Sequence, residues 1–156
     1  MKKLLLIIAF VAAVMSANAQ IGDKSVLVKA GYETDFKRFG VGAEGRYFLT
    51  ENIRLAPDVI FFFPKDHNTG LDINVNAHYV FPLQDGLSVY PLAGVQMANN
   101  RFSYEGFTDS STKFGFNIGV GFDYNLSDVN YVNAQFQYTF NDWDYALFSI
   151  GYGIKF

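Results

Sequence analysis

The stretch Leu71–Phe81, LDINVNAHYVF, sets Leu71, Ile73, Val75, Ala77, Tyr79 and Phe81 at every second position, with Asp72, Asn74, Asn76, His78 and Val80 between them. Alternation with period two puts successive side chains on opposite sides of a strand, so this segment has one apolar and one largely polar face. A soluble sheet resting on a core and a barrel with a wet interior both produce that pattern. The choice between them lies in the sequence on either side.

Eight segments carry strand character: Ser25 to Glu33, Arg38 to Phe48, Ile53 to Phe63, Leu71 to Phe81, Leu87 to Met97, Thr112 to Tyr124, Val129 to Asn141 and Tyr145 to Phe156. Most approach the roughly 9 to 11 residues that a tilted strand needs to cross a bilayer. Sorted by parity, one face is apolar throughout, from Val26 and Val28 to Ile150, Tyr152 and Ile154. The other carries Lys29, Glu44, Arg46, Arg54, Asp58, Asp72, Asn74, Asn76, His78, Gln96, Asn117, Asp123, Asn133, Gln135, Gln137 and Lys155, together with Gly40, Gly42, Gly94, Gly115, Gly119, Gly121, Gly151 and Gly153. An eight-stranded barrel has an interior just wide enough for side chains, and crowding there selects small residues. The glycine-bearing polar face is therefore expected inside. A lipocalin-like soluble barrel would need the reverse, with Phe and Ile crowded inward and glycine left bare outside.

Composition agrees, because charged residues make up only 17% of the chain while Phe (17), Tyr (10) and Gly (14) abound. The chain opens MKKLLLIIAFVAAVMSANAQ, with Lys2 and Lys3, an apolar run from Leu4 to Val14 and an A-x-A pattern at Ala17 and Ala19. That is the layout of a secretory signal peptide, expected over 1–19, with the barrel domain over 20–156; the run is too short for a spanning helix. Removal of Lys2 and Lys3 takes the formal charge from −3 to −5, and no basic run remains to suggest nucleic acid. With no Cys, disulfides and lipid-modified cysteine are excluded.

Leu49 to Asn52, Pro82 to Gly86 and Asn125 to Asp128 read as tight turns, expected on the periplasmic side. ANNRFSYEGFTDSS, Ala98 to Ser111, reads as a long loop on the outer side. Pro57 and Pro91 fall inside strands, where each removes a ladder donor, so local bulges are expected there, with the parity of Ile60 and Phe62 open to a shift.

With the signal peptide, the lipid-facing stripes, the turns and the terminal Phe156 set out, the whole mature chain resembles the small eight-stranded outer-membrane barrels of Gram-negative bacteria, similar to the OmpA transmembrane domain and to OmpX, in the porin-family group of outer-membrane β-barrel domains. The resemblance implies an all-β, antiparallel, up-and-down transmembrane barrel in the outer membrane, with both termini periplasmic and the longer loops extracellular. It implies outer-membrane lipid as surroundings, and periplasmic chaperones and the barrel-assembly machinery as partners during biogenesis. It gives Tyr152, Ile154 and Phe156 the role of assembly signal. It does not extend to a peptidoglycan-binding domain, and the loops read as shorter than a protruding adhesive sheet requires.

No catalytic residue, cofactor site or metal site is expected. His67 and His78 are the available histidines, with no nucleophile elbow, phosphate loop or cysteine ligand set. His78 reads as a hydrogen-bonded lumen residue, and His67, after Asp66, as a solvated turn. Lys29, Glu44 and Asp58 fall near mid-height on the first three strands, with Arg46 and Arg54 nearer the periplasmic turns. Glu44 and Asp58 are expected to pair with Lys29, Arg46 and Arg54 as a static plug. Arg101, Phe102, Tyr104 and Phe107 have the composition of an interfacial aromatic girdle first and of a surface that binds an extracellular ligand second. The expectation is a structural or surface-interaction protein; a narrow pore and a lipid-modifying enzyme are the alternatives.

Overall fold

The computed structural model describes residues 22–156; the expected signal peptide, 1–19, lies outside the described residues. Nine strand segments follow in order: β1 (Lys24–Glu33), β2 (Arg38–Phe48), β3 (Ile53–Lys65), β4 (Asn68–Tyr79), β5 (Phe81–Pro82), β6 (Leu87–Tyr104), β7 (Phe107–Asn125), β8 (Asn130–Phe140) and β9 (Tyr145–Lys155). Each pairs antiparallel with its neighbours, β1 joins β9, and β4 joins β6, so the sheet closes. The two residues of β5 pair with β6 in the register that β4 uses, so β4 and β5 form one stave and the barrel has eight.

Closure fixes the tilt. From Lys24 the pairing runs to Tyr47, Leu55, Ala77, Ala93, Ile118, Tyr138 and Ala146, and Ala146 bonds Thr34, ten residues beyond the start and just past the end of β1. A stagger of this size inclines the strands by about 35–45° to the barrel axis.

The two faces separate as the parity requires. Val28 is 64% exposed, Ile150 69% and Phe114 75%, whereas Lys29, Glu44 and Gln137 are buried on the inside. The apolar face of Leu71–Phe81 therefore points outward and Asp72, Asn74, Asn76 and His78 point into the lumen. Lumen glycines make room for large lumen side chains. A Cβ at Gly121 would lie 2.2 Å from the Tyr90 ring, one at Gly153 2.2 Å from the Tyr131 ring, and one at Gly40 2.7 Å from the Phe62 ring.

Two expectations about the backbone are corrected. The registers of β2–β3 and of β6 with β4 and β5 run straight past Pro57 and Pro91, each of which costs only local rungs of one ladder, so no bulge forms and parity is kept. Ile60 and Phe62 face inward. The one-residue shift of the β3–β4 ladder falls instead between Phe62 and Lys65, around Pro64 at the rim. Ala98–Ser111 is likewise not a loop. β6 and β7 continue to Tyr104 and Phe107 and meet in a two-residue turn, Glu105 (φ 45°) and Gly106 (φ 83°). Paired backbone groups satisfy each other up to the tip, which suits positive φ at both turn residues. The protruding ribbon that the loop lengths seemed to rule out is present.

Candidate functional site

The lumen is occupied by side chains along its length. At the end that carries the β6–β7 hairpin, Ile60, Phe62, Tyr145 and Leu147 cluster; toward the end that carries the short turns and the termini, Val80, Tyr90 and Leu92 pack together. By parity these apolar groups share the polar face, and inside they pack at either end of the charges.

Lys29 Nζ donates to Glu44 Oε2 at 2.8 Å and to Asp58 Oδ2 at 2.7 Å. Arg46 Nε donates to the other Glu44 oxygen at 2.5 Å, and its Nη1 grips both Asp123 oxygens at 2.8 and 2.9 Å. Arg54 Nη1 completes the chain on Asp123 Oδ2 at 2.9 Å. Three cations thus meet three carboxylates, all buried. Arg54 differs from expectation, because its carboxylate is Asp123 on β7 and not Glu44 or Asp58. Asp123 lies across the lumen, and adjacency along the hairpins could not reveal that contact.

The remaining polar groups extend the chain. Tyr90 OH receives Arg46 Nη2 at 3.1 Å and Asn133 Nδ2 at 2.8 Å and donates to Gln135 Oε1 at 2.9 Å. Asn74 Nδ2 donates to Asp58 Oδ1, and Asn117 Nδ2 bridges the carbonyl oxygens of Asn74 and Asn76. Near the hairpin end Arg38 pairs with Glu33 at 2.8 Å and donates to Asn100, while Tyr145, Asp72 and Gln96 hydrogen-bond together. A vestibule of about 140 Å³ opens at the turn end, with Arg54, Asp123, Tyr131 and Lys155 in its lining.

His78 is committed to this network. Its ring stacks on Tyr90 at 4.3 Å, and Nδ1 accepts from Arg54 Nε and Nη2 at 3.2 and 3.0 Å. A guanidinium only donates, so Nδ1 is the unprotonated nitrogen. Among the described residues no group of three or more His, Cys, Asp and Glu side chains has the arrangement to hold a metal ion.

On the hairpin the chemistry of the two faces exchanges. Met97 and Phe114 form the last apolar outward pair; beyond it the outward positions are Asn99, Arg101, Ser103, Thr108, Ser110 and Thr112. Asn99 Nδ2 donates to Ser110 Oγ and Thr112 Oγ1 across that face. The inward face continues from Asn100, which accepts from buried Arg38, to Phe102, Tyr104 and Phe107. Phe107 stands seven residues past Phe114, roughly 23 Å along the strand. Phe102, Tyr104 and Phe107 therefore do not form a girdle: they face the barrel axis, beyond the apolar belt, and Arg101 points the other way. His67 leaves the β3–β4 turn with its ring 4.9 Å from Tyr104 and 6.2 Å from Phe102, so it is more than a solvated turn residue. At the other end Tyr152, Ile154 and Phe156 point outward beside the β1–β9 seam.

Solved structures share this architecture. The N-terminal β-barrel domain of Pseudomonas aeruginosa OprF superposes with a TM-score of 0.76 at 19% identity, covering 87% of this chain and 98% of that one. Neisserial surface protein A gives 0.71 at 17% identity over 86% and 96% of the two chains. Ail, the attachment invasion locus protein of Yersinia pestis, gives 0.66 at 19% identity over 88% and 100%. At these identities the likeness is one of fold. No curated protein sequence matches the chain. Residues 4–156 match the family described as outer membrane protein beta-barrel domain, and with nearly the whole sequence covered the chain belongs to that family.

Proposed function

We propose that this outer-membrane barrel is plugged and acts as a structural and surface-interaction protein, with its termini in the periplasm and the β6–β7 hairpin outside the cell. The observation that carries the reading is the unbroken chain of ion pairs from Lys29 through Glu44, Arg46 and Asp123 to Arg54. A conducting path would have to part buried charges from their partners, which is strongly unfavourable in a low-dielectric interior. The neighbours add only the fold. Catalysis finds no support in the site, since His78 is held between Arg54 and Tyr90.

The test is conductance in planar bilayers. The unmodified barrel is expected to give no steady open level, and a stable one would overturn the plug. Orientation is tested separately: the chain has no cysteine, so a single Cys in place of Glu105 is expected to react with a membrane-impermeant maleimide on intact cells. Labelling only after lysis would reverse the topology. Assembly is supported by the outward placement of Tyr152, Ile154 and Phe156 on the strand that closes the β1–β9 seam. A polar residue at 156 is expected to lower insertion far more than one at 107.

A further inference from the structure

The vestibule at the turn end lies inside the barrel wall. Ser25, Arg54, Ser88, Tyr131 and Lys155 line it from five strands, on the inward parity that their cross-strand partners Arg46, His78, Asp123 and Asn125 share. At about 140 Å³ it holds several times the roughly 30 Å³ of one water and falls below the roughly 300 Å³ at which sites for larger organic ligands begin. The room suits a small solute.

The side chains around it are rich in donors and short of acceptors. Arg54, whose side chain is 5% exposed, has N–H groups on three nitrogens. Nη1 uses one on Asp123, and Nε and Nη2 share the His78 Nδ1 lone pair, so an N–H on each terminal nitrogen is left over. Lys155 Nζ spends one donor on Asn125 Oδ1 at 2.7 Å and keeps the rest. Ser25 and Tyr131 share a single hydrogen bond at 2.8 Å between their hydroxyls, which leaves a hydroxyl hydrogen unspent, and Ser88 Oγ bonds no described residue. The Asp123 acceptors are taken, because each oxygen already receives two donors. Phe48 and Val80 close the remaining side with apolar side chains. Of the charged residues in the lining, Lys24, Arg54 and Lys155 are cationic and Asp23 and Asp123 anionic, so the excess is positive.

From this excess of donors and of positive charge we propose that the vestibule binds a small soluble oxyanion of the class of inorganic phosphate. An ion that only accepts hydrogen bonds takes up the unspent N–H and O–H groups together, and an arginine fork beside a lysine matches the shape and charge of a phosphoryl group. A metal ion or an ammonium would meet donors, with exposed Asp23 as the carboxylate of the lining not already committed. Headgroup phosphates of the bilayer carry the same chemistry, but they stand outside the wall while this lining faces inward. Contact with Arg54 makes the ion a counter-charge at the end of the plug, so occupancy stabilises the fold. The ion is held at the mouth of a closed lumen and does not pass. That this mouth opens to the periplasm rests on the orientation proposed above.

Inorganic phosphate titrated into the folded protein in a nonionic detergent, and followed by calorimetry or phosphorus magnetic resonance, tests the site. Saturable binding is expected, with a rise in the urea midpoint as the site fills. Lys155→Gln should weaken phosphate about five- to tenfold, and Ser88→Ala about two- to threefold. Asp23→Asn should tighten it at low but not at high ionic strength. Lys113→Gln, at the hairpin end, should leave it unchanged. Heat-modifiable gel mobility establishes that each variant is a folded barrel. Absence of saturable binding, undiminished binding in folded Lys155→Gln, or an equal loss in Lys113→Gln would overturn the site. Saturable calcium binding without phosphate binding would also overturn it, in favour of a cation at Asp23. Nanodiscs of phosphatidylcholine and of phosphatidylglycerol, compared in physiological salt, separate the sources of the anion. Similar phosphate affinity in both supports a soluble ion, and loss of binding in phosphatidylglycerol alone would overturn it in favour of a lipid headgroup. Conductance and cysteine labelling are read independently of these outcomes, so the plug and the topology stand or fall separately.

Discussion

Two sides of the lumen are equally buried but joined by different chemistry. On β1, β2 and β3, Lys29, Glu44, Arg46, Arg54 and Asp58 are charged, and Asp123 reaches them from across the barrel. On β4, β7 and β8, Asn74, Asn76, Asn117, Gln137 and Thr139 form a chain of neutral amides and a hydroxyl. The sides touch where the Asn74 amide donates to Asp58 at 2.7 Å, and again through Tyr90, which accepts from Arg46 and donates to Gln135, itself a donor to Gln137. A carboxylate that loses its cation must remain in a low-dielectric interior, whereas an amide that loses one neighbour can turn to another. The charged side should therefore behave as one unit, and the amide side as several small ones.

The strongest way to break this contrast is Glu44→Gln. It leaves three cations facing two carboxylates, and loss of one partner from a buried network costs on the order of 3 to 5 kcal/mol. Urea unfolding followed by gel mobility should show it, with the lumen still non-conducting. A smaller loss is expected from Gly121→Ala, whose Cβ would lie 2.2 Å from Tyr90, the residue whose hydroxyl joins Arg46 to Gln135. Overpacking of this kind costs about 1 to 3 kcal/mol. Asn117→Ala removes donors to Asn74 and Asn76 but leaves amides able to rotate, so about 1 kcal/mol is expected from the same measurement. If Asn117→Ala matched Glu44→Gln, the two sides would not differ as described. Least affected should be Lys113→Ala, whose partner Asp142 is largely exposed: under about 0.5 kcal/mol, vanishing in high salt.

Parity was the most legible feature. Every charged residue assigned inward from Lys29 to Asp123 is buried there, because a one-residue slip anywhere would have put apolar side chains into a crowded lumen. Contacts between neighbouring strands, such as Lys29 with Glu44, could be read from hairpin order. The bond of Arg54 to Asp123 could not, since it crosses the barrel and depends on the stagger that closure imposes. The prolines misled because a missing N–H can be absorbed by skipped rungs as well as by a bulge. The upper hairpin was missed for a physical reason. The apolar outward stripes end at Met97 and resume at Phe114, where the outward face stops meeting lipid. The dipeptide Glu105–Gly106 between two aromatic residues was the available signal of a two-residue turn.

Pairing of β7 with β8 stops at Phe116 and Phe140, while β6 stays paired with β4 as far as Phe102 and Asn68. The upper hairpin is consequently held along one margin only, and its opening is uncoupled from that of the closed cylinder beneath. Amide protons of Phe107–Thr112 that point away from β6 should exchange with solvent orders of magnitude sooner than those of Phe116–Asn125, which no opening short of global unfolding exposes. A strand margin left free in this way also invites pairing with other chains, and Asp109 and Lys113 place a charge of each sign along it. The same ribbon can thus open while the barrel wall stays intact.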